Sequence, residues 1–219
     1  MRDPNGVAYE NVRISQALLS TEPDQVPAAL QGAARLMTTT SAEECLEQLL
    51  PQRASASTIS SLVLGIDHVG FMAAPEDQAA LDSAAAEAGF GSNGHTFPST
   101  ILTRQLAQLA GRTVPTTIFE ALAADPDRGS LRVEVAIPRG IERNVLDGWI
   151  RQGIGAHLAF GVSSPARFGE LGELVEAQGF RSPASLQDHL CTNPASGVTA
   201  VFFDRRPAEP LGLEFCHYA

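Results

Sequence analysis

The chain has 219 residues, 44% of them apolar, which is enough to bury one sizeable core or two small ones. A formal charge of −10 and an isoelectric point near 4.9 argue against nucleic acid or an anionic membrane as partner, since both need clustered cations. All 15 basic residues are arginine, so Schiff-base chemistry and a phosphate-loop lysine are excluded as well.

The amino terminus, Met1-Arg2-Asp3-Pro4, has no apolar signal core, and no apolar run approaches the roughly 20 residues of a membrane span. Cys45, Cys191 and Cys216 are widely spaced without a C-x-x-C, which indicates neither a disulfide framework nor a zinc knuckle and fits a cytoplasmic location. Apolar spacing predicts helices over Asn11–Leu19 and Val26–Met37. Ser41-Ala42-Glu43-Glu44 is a capping box that opens a third helix through Leu50, and Pro51 stops it. A Ser/Ala/Thr-rich passage, Ala54–Ser61, leads into the first strand. Residues 1–60 hold too little core to stand alone and are expected to form a helical extension covering an edge of the sheet or the mouth of a cleft.

An internal repeat organises residues 62–219. Gly65-Ile66-Asp67-His68-Val69-Gly70-Phe71 is echoed 89 residues later by Gly155-Ala156-His157-Leu158-Ala159-Phe160-Gly161, and each copy runs into a helix closing on Gly-Phe, at Gly89-Phe90 and Gly179-Phe180. The first unit, residues 62–138, has a strand over Val63–Met72 and a helix over Glu76–Gly89. Further strands are predicted at Thr100–Leu109, Thr116–Leu122 and Ser130–Ile137, although Ile101–Leu109 also carries a helical pattern. A linker, residues 139–153, contains a short helix with Trp149. The second unit, residues 154–219, has a strand at Ala156–Val162 and a helix at Arg167–Gln178. Segments at Leu186–Thr192 and Val198–Asp204 and a last strand at Leu211–Tyr218 complete it. The fold class is α+β: two tandem βαβββ modules whose mixed sheet curls around one cleft.

Two such modules, with Ile66-Asp67-His68-Val69 and Gly155-Ala156-His157-Leu158 on the first strands and Val133-Glu134-Val135 and Leu213-Glu214-Phe215 on the last, resemble the vicinal oxygen chelate superfamily. Glyoxalase I, methylmalonyl-CoA epimerase and the extradiol dioxygenases share that fold. The resemblance covers residues 62–219. It implies a divalent metal held by His68, His157 and Glu214, with Glu134 as a fourth ligand or as the base that moves a proton.

Strand alternation supports the same site on independent grounds. Ile66, His68, Gly70 and Met72 are expected on one face, and His157 with Ala159 and Gly161, so that small residues leave room above both rings. Asp67 is expected on the opposite face and is assigned no role. Glu134 shares its face with Arg132 and Ala136, and Glu214 with Cys216 and Tyr218; a half-buried carboxylate needs a cation. Two imidazoles with one or two carboxylates suit Fe, Ni, Mn, Co or Zn. Arg132 and Arg104 are candidate anchors for an anionic substrate, and Tyr218 and Cys216 are candidate substrate contacts. His95 and His189 are expected in loops, and His217 points away from the site.

Three functions fit this pattern. The first is a metal-dependent isomerase or lyase that stabilises an enediolate while a glutamate moves the proton. The second is an Fe(II) dioxygenase built on His68, His157 and Glu214, and the third is a metal-free small-molecule binder. The expected partner is a small-molecule substrate, and the modules pair within one chain or across a homodimer.

Overall fold

The structure, a computed structural model, describes residues 26–73, 78–91, 94–125, 129–151, 154–181, 191–193, 197–203 and 211–218. The helix expected over Asn11–Leu19 and the histidine at 189 lie outside the described residues.

Among the described residues three helices come first: α1 (Val26–Thr39), α2 (Ala42–Leu49) and α3 (Ala54–Ser60). The capping box forms as its sequence dictates. Ser41 Oγ accepts from the Glu44 amide at 3.2 Å, and the Glu44 carboxylate accepts from the Ser41 amide at 2.9 Å. The passage Ala54–Ser60, read as a connection from its small polar residues, is a helix, because Ala56 and Ile59 are fully buried against the body of the protein. Burial has overridden weak propensity there.

Strand β1 (Gly65–Met72) and helix α4 (Gln78–Glu87) open the first module. Strand β2 (His95–Pro98), helix α5 (Thr100–Ala110), and strands β3 (Thr116–Asp125) and β4 (Gly129–Pro138) complete it. The second strand of the module is therefore His95–Pro98, and the apolar segment after it is a helix. Ser99 caps that helix, accepting from the Leu102 amide at 3.2 Å, and Gly111 ends it in the left-handed region at φ 65°. Helix α6 (Arg143–Arg151) carries Trp149 as expected. The second module consists of β5 (His157–Gly161), α7 (Phe168–Glu176), β6 (Cys191–Asn193), β7 (Val198–Phe203) and β8 (Gly212–Tyr218).

The eight strands among the described residues join one mixed sheet in the order β2-β3-β4-β1-β5-β8-β7-β6. The order is symmetric about the antiparallel β1/β5 pair: β1 runs parallel to β4 on one side, and β5 runs parallel to β8 on the other. This is the tandem βαβββ architecture expected from the repeat.

Alternation sorts the sheet into two faces. Val69, Phe71, Val133, Val135, Leu158, Phe160, Leu213 and Phe215 point to one side and form the main core with α1 to α4 and α7. The amino-terminal helices thus sit on the back of the sheet, remote from the cleft mouth: Leu30, Met37, Leu46 and Ile59 are fully buried within that core. The opposite face carries His68, Glu134, His157 and Glu214. Its first-module end is closed by α5 and α6, whose Leu106, Leu146 and Trp149 pack on Met72, Ile118 and Ala136.

Candidate metal centre

The register of the four central strands places four donors together. Across β1/β4, Glu134 pairs with Gly70, two residues after His68; across β5/β8, Glu214 pairs with Ala159, two residues after His157. The antiparallel β1/β5 pairing then sets His157 opposite Gly70 and His68 opposite Ala159. Each module contributes one imidazole and one carboxylate, and the two halves meet at the sheet's centre.

His68 Nε2 and His157 Nε2 are 3.1 Å apart, and Glu214 Oε2 stands 2.9 Å from His157 Nε2 and 3.4 Å from His68 Nε2. Donor atoms of these three residues all lie within 4.8 Å of one another. Glu134 Oε2 is 3.7 Å from His68 Nε2 but is not one of that mutually close set. The His68 and Glu214 side chains are almost sealed, at 2% and 5% exposure, whereas His157 and Glu134 keep 14% and 18% towards the cleft.

Gly70 makes this approach feasible. A Cβ there would stand 2.1 Å from His157 Cε1 and 2.4 Å from its Nε2, so the His157 ring occupies the volume the missing side chain leaves. The small residue expected to leave room for a ligand leaves room for the second imidazole instead. Gly155, at φ 89°, turns the chain so that its carbonyl faces the same ring, and His157 Nδ1 approaches that oxygen at 3.3 Å.

Asp67 corrects the sequence reading. The β1/β5 register shifts between Ile66 and His68, a bulge that leaves Asp67 without an opposite residue. Ile66 accordingly packs against the back core, while the Asp67 carboxylate swings to the His68 side. His68 Nδ1–H donates to Asp67 Oδ2 at 2.8 Å, the Tyr218 hydroxyl donates to the same oxygen at 3.1 Å, and Arg132 Nη1 is 3.7 Å away. Fixing the Nδ1 proton turns the Nε2 lone pair towards the other donors, as an outer carboxylate does for a metal-bound imidazole. Adjacency of Asp to His was visible in the sequence; the bulge that makes it useful was not.

Charge is unevenly shared among these groups. Burial works against ionised Asp67, but His68, Arg132 and Tyr218 outweigh it and hold the carboxyl near a pKa of about 2. Burial likewise opposes ionised Glu214, and the two histidines bring it to about 2. Glu134 moves the other way: burial raises its proton affinity, the histidines only partly oppose this, and Glu214 and Glu120 add to it. Burial favours neutral His68, yet Glu134 and Glu214 overcome that and keep its proton affinity well above the ordinary range. A pocket that crowds two carboxylates around the buried His68 imidazole fits a cation. The donor set, two nitrogens and a carboxylate oxygen, suits a borderline divalent metal.

Of the other expected residues, Tyr218 lines the cleft, but its hydroxyl is engaged by Asp67 and its ring lies 4.3 Å beneath the Arg132 guanidinium. Arg132 faces Asp67, Glu120 at 3.3 Å and Tyr218, so it braces the centre's outer partners and is not among the residues lining the cleft. Arg104 is exposed on α5 and also stands outside the lining. Cys216 is fully buried, and burial pushes its thiol up to about 12. His95 is exposed on β2, and His217 turns to the Val162 carbonyl at 3.1 Å.

The cleft, its open mouth included, holds about 810 Å³ of empty space. Sequence reasoning missed its wall: Ile101, Leu102 and Gln105 from α5, with Phe202 from β7. Only the strand reading of α5 stood in the way, since Ile101 and Gln105 lie one helical turn apart.

No family model and no curated protein sequence matches the chain. Among solved structures it is similar to a methylmalonyl-CoA epimerase from Streptomyces coelicolor in complex with 2-nitronate-propionyl-CoA, at 18% identity and a TM-score of 0.46, over 72% of this chain and 99% of that one. It is also similar to methylmalonyl-CoA epimerase from Mycobacterium tuberculosis, at 18% identity and 0.44, over 72% and 90%. A protein from Shewanella frigidimarina aligns at 12% identity and 0.43, over 91% and 94%. By its own strand order and register, the chain has the tandem βαβββ architecture expected from the repeat.

Proposed function

We propose that this protein is a divalent-metal-dependent isomerase or lyase of the vicinal oxygen chelate type, acting on a small molecule with two neighbouring oxygens. The observation that carries the reading is the convergence of His68 Nε2, His157 Nε2 and a Glu214 oxygen on one cleft, with Glu134 beside them. His68, His157 and Glu214 would hold the ion, which when bound acts as a Lewis acid and makes the C–H bond next to the substrate's oxygens acidic.

Glu134 is suited to take that proton. It faces the cleft, and its raised proton affinity contrasts with ionised Glu214. Carboxylates whose environments push them apart in this way divide the work, one binding charge and the other moving a proton. Asp67 and the Gly155 carbonyl hold the two imidazoles in orientation. Glu134 keeps 18% exposure towards the cleft, so the proton it takes can exchange with solvent before one returns to the substrate.

A second reading, an Fe(II) dioxygenase, draws on the fact that the three mutually close donors form a 2-His-1-carboxylate set without Glu134. The two are separated by analysing the metal in protein purified without chelator, then measuring deuterium uptake and oxygen consumption over a panel of small vicinal dioxygen compounds. Zinc, nickel, cobalt or manganese with deuterium uptake is the expected result. Iron with oxygen consumption would establish the oxygenase, and a protein that binds no divalent ion under any condition would be the metal-free binder. His68→Ala, His157→Ala and Glu214→Ala should each lose the metal, and Glu134→Gln should keep it but lose deuterium exchange. If all three alanine variants retain stoichiometric metal, the centre is misassigned.

A further inference from the structure

The wall opposite the donors has a consistent chemistry. Helix α5, inserted between β2 and β3 of the first module, reaches across to β6 of the second. Its Ile101, only 8% exposed, packs on Phe202 of β7. The Phe202 ring in turn meets the His157 imidazole edge to face, with centroids 5.9 Å apart and planes at 82°. Phe97, Leu102 and Ile118 extend the apolar surface from the first module. Residues from both modules therefore make one continuous apolar surface that ends at a ligating ring.

Charge points in the same direction. Apart from the two histidines, the charged side chains lining the cleft among the described residues are the carboxylates Glu134 and Glu214. Arg132, whose guanidinium lies beside the Asp67 that holds His68, is committed to Asp67, Glu120 and the Tyr218 ring. An anionic substituent placed against this wall would lose water, gain no cation among the described residues and meet two carboxylates. An apolar one would lose only unfavourable hydration. Gln105 supplies one neutral polar contact on α5.

We infer that the substrate carries its two chelating oxygens on an uncharged apolar body, aromatic or branched aliphatic, which packs against the wall that Ile101 and Phe202 form together. This rests on the metal-centre reading above and narrows its substrate class. It departs from anionic acyl groups, for which a cleft arginine would be the natural partner.

Hydroxamates test it, because each presents two neighbouring oxygens on a body of choice. Cobalt(II)-loaded protein is titrated with benzohydroxamate, acetohydroxamate and succinic monohydroxamate, following the visible spectrum of the cobalt. Burial of the phenyl ring should make benzohydroxamate bind about 10- to 100-fold tighter than acetohydroxamate, with the carboxylate-bearing probe weakest. Ile101→Ala and Phe202→Ala should each reduce the ratio of the first two affinities by about threefold or more. Comparing ratios between proteins cancels the intrinsic chelating strength of each probe. Equal binding of the first two in the wild-type protein, or tightest binding of the carboxylate-bearing probe, overturns the inference while leaving the metal centre intact. A protein that takes up no cobalt, or cobalt whose spectrum none of the probes alters, overturns the metal-centre reading and this inference with it.

Discussion

Gly70→Ala isolates the packing that brings the two modules' imidazoles together without touching a ligand. The added Cβ would stand 2.1, 2.4 and 2.8 Å from Cε1, Nε2 and Nδ1 of His157. Carbon contacts are comfortable near 3.5 Å, so the ring must retreat by about 1 Å or more. Metal–ligand distances tolerate only about 0.2 Å, and the retreat carries Nε2 away from positions now 3.1 Å from His68 Nε2 and 2.9 Å from Glu214. Metal affinity should fall by at least about tenfold, the scale seen when support around a metal ligand is lost. Stability responds less. Alanine in place of glycine in a strand restricts the unfolded chain, worth about 0.4–1 kcal/mol, and Gly70 has no positive φ to forbid it. Overpacking costs about 1–3 kcal/mol. The metal-free variant should therefore lose about 1 kcal/mol net, or about 2–4 °C in melting temperature for a chain of this size. The assay is chelator competition for affinity and thermal denaturation for stability, the latter repeated in a His157→Ala background. There the new methyl has no ring to meet, so its destabilisation should vanish as coupling between the two sites. Wild-type metal affinity in Gly70→Ala, or an undiminished stability cost in the double variant, would refute the reasoning.

Other consequences are as direct. Asp67→Ala should weaken metal binding about 10- to 100-fold by freeing the His68 ring, and Tyr218→Phe should do so less, as read by chelator competition; equal affinities in all three proteins would remove Asp67 from the centre. A chain beginning at Leu62 should show no cooperative melt by circular dichroism. It would lack Leu30, Met37, Leu46 and Ile59, which are fully buried in the main core, and each such deletion costs about 2–5 kcal/mol; an unchanged melting temperature contradicts this.

Much of the centre could be read from one dimension. A strand's alternation has a period of two wherever it is regular, so the faces of His157, Glu134 and Glu214 came from counting along each strand. The repeat added equivalence: matching positions in two copies of a module must occupy matching places, and the pairs Gly70–Glu134 and Ala159–Glu214 do. The capping box at Ser41 was equally legible, because its partners lie three residues apart.

What could not be read depends on strands and helices meeting from afar. The faces of Ile66 and Asp67 reversed because a bulge is a property of two paired strands, and β5, about 90 residues away in sequence, supplies the other half of the register. Helix or strand at Thr100–Ala110 was undecided by apolar content alone. Its burial against Ile118, Trp149 and Phe202 gave the helical spacing something to pack on. Arg132 looked like a substrate anchor while its neighbours were only those in sequence; across the sheet it meets Asp67, Glu120 and Tyr218, and its charge is used there. The sequence by itself determined which residue types repeat and which face a regular strand gives them. Only the tertiary structure decided which of those side chains meet, because hydrogen-bond register, ring packing and charge pairing act through space, where residues far apart in the chain become neighbours.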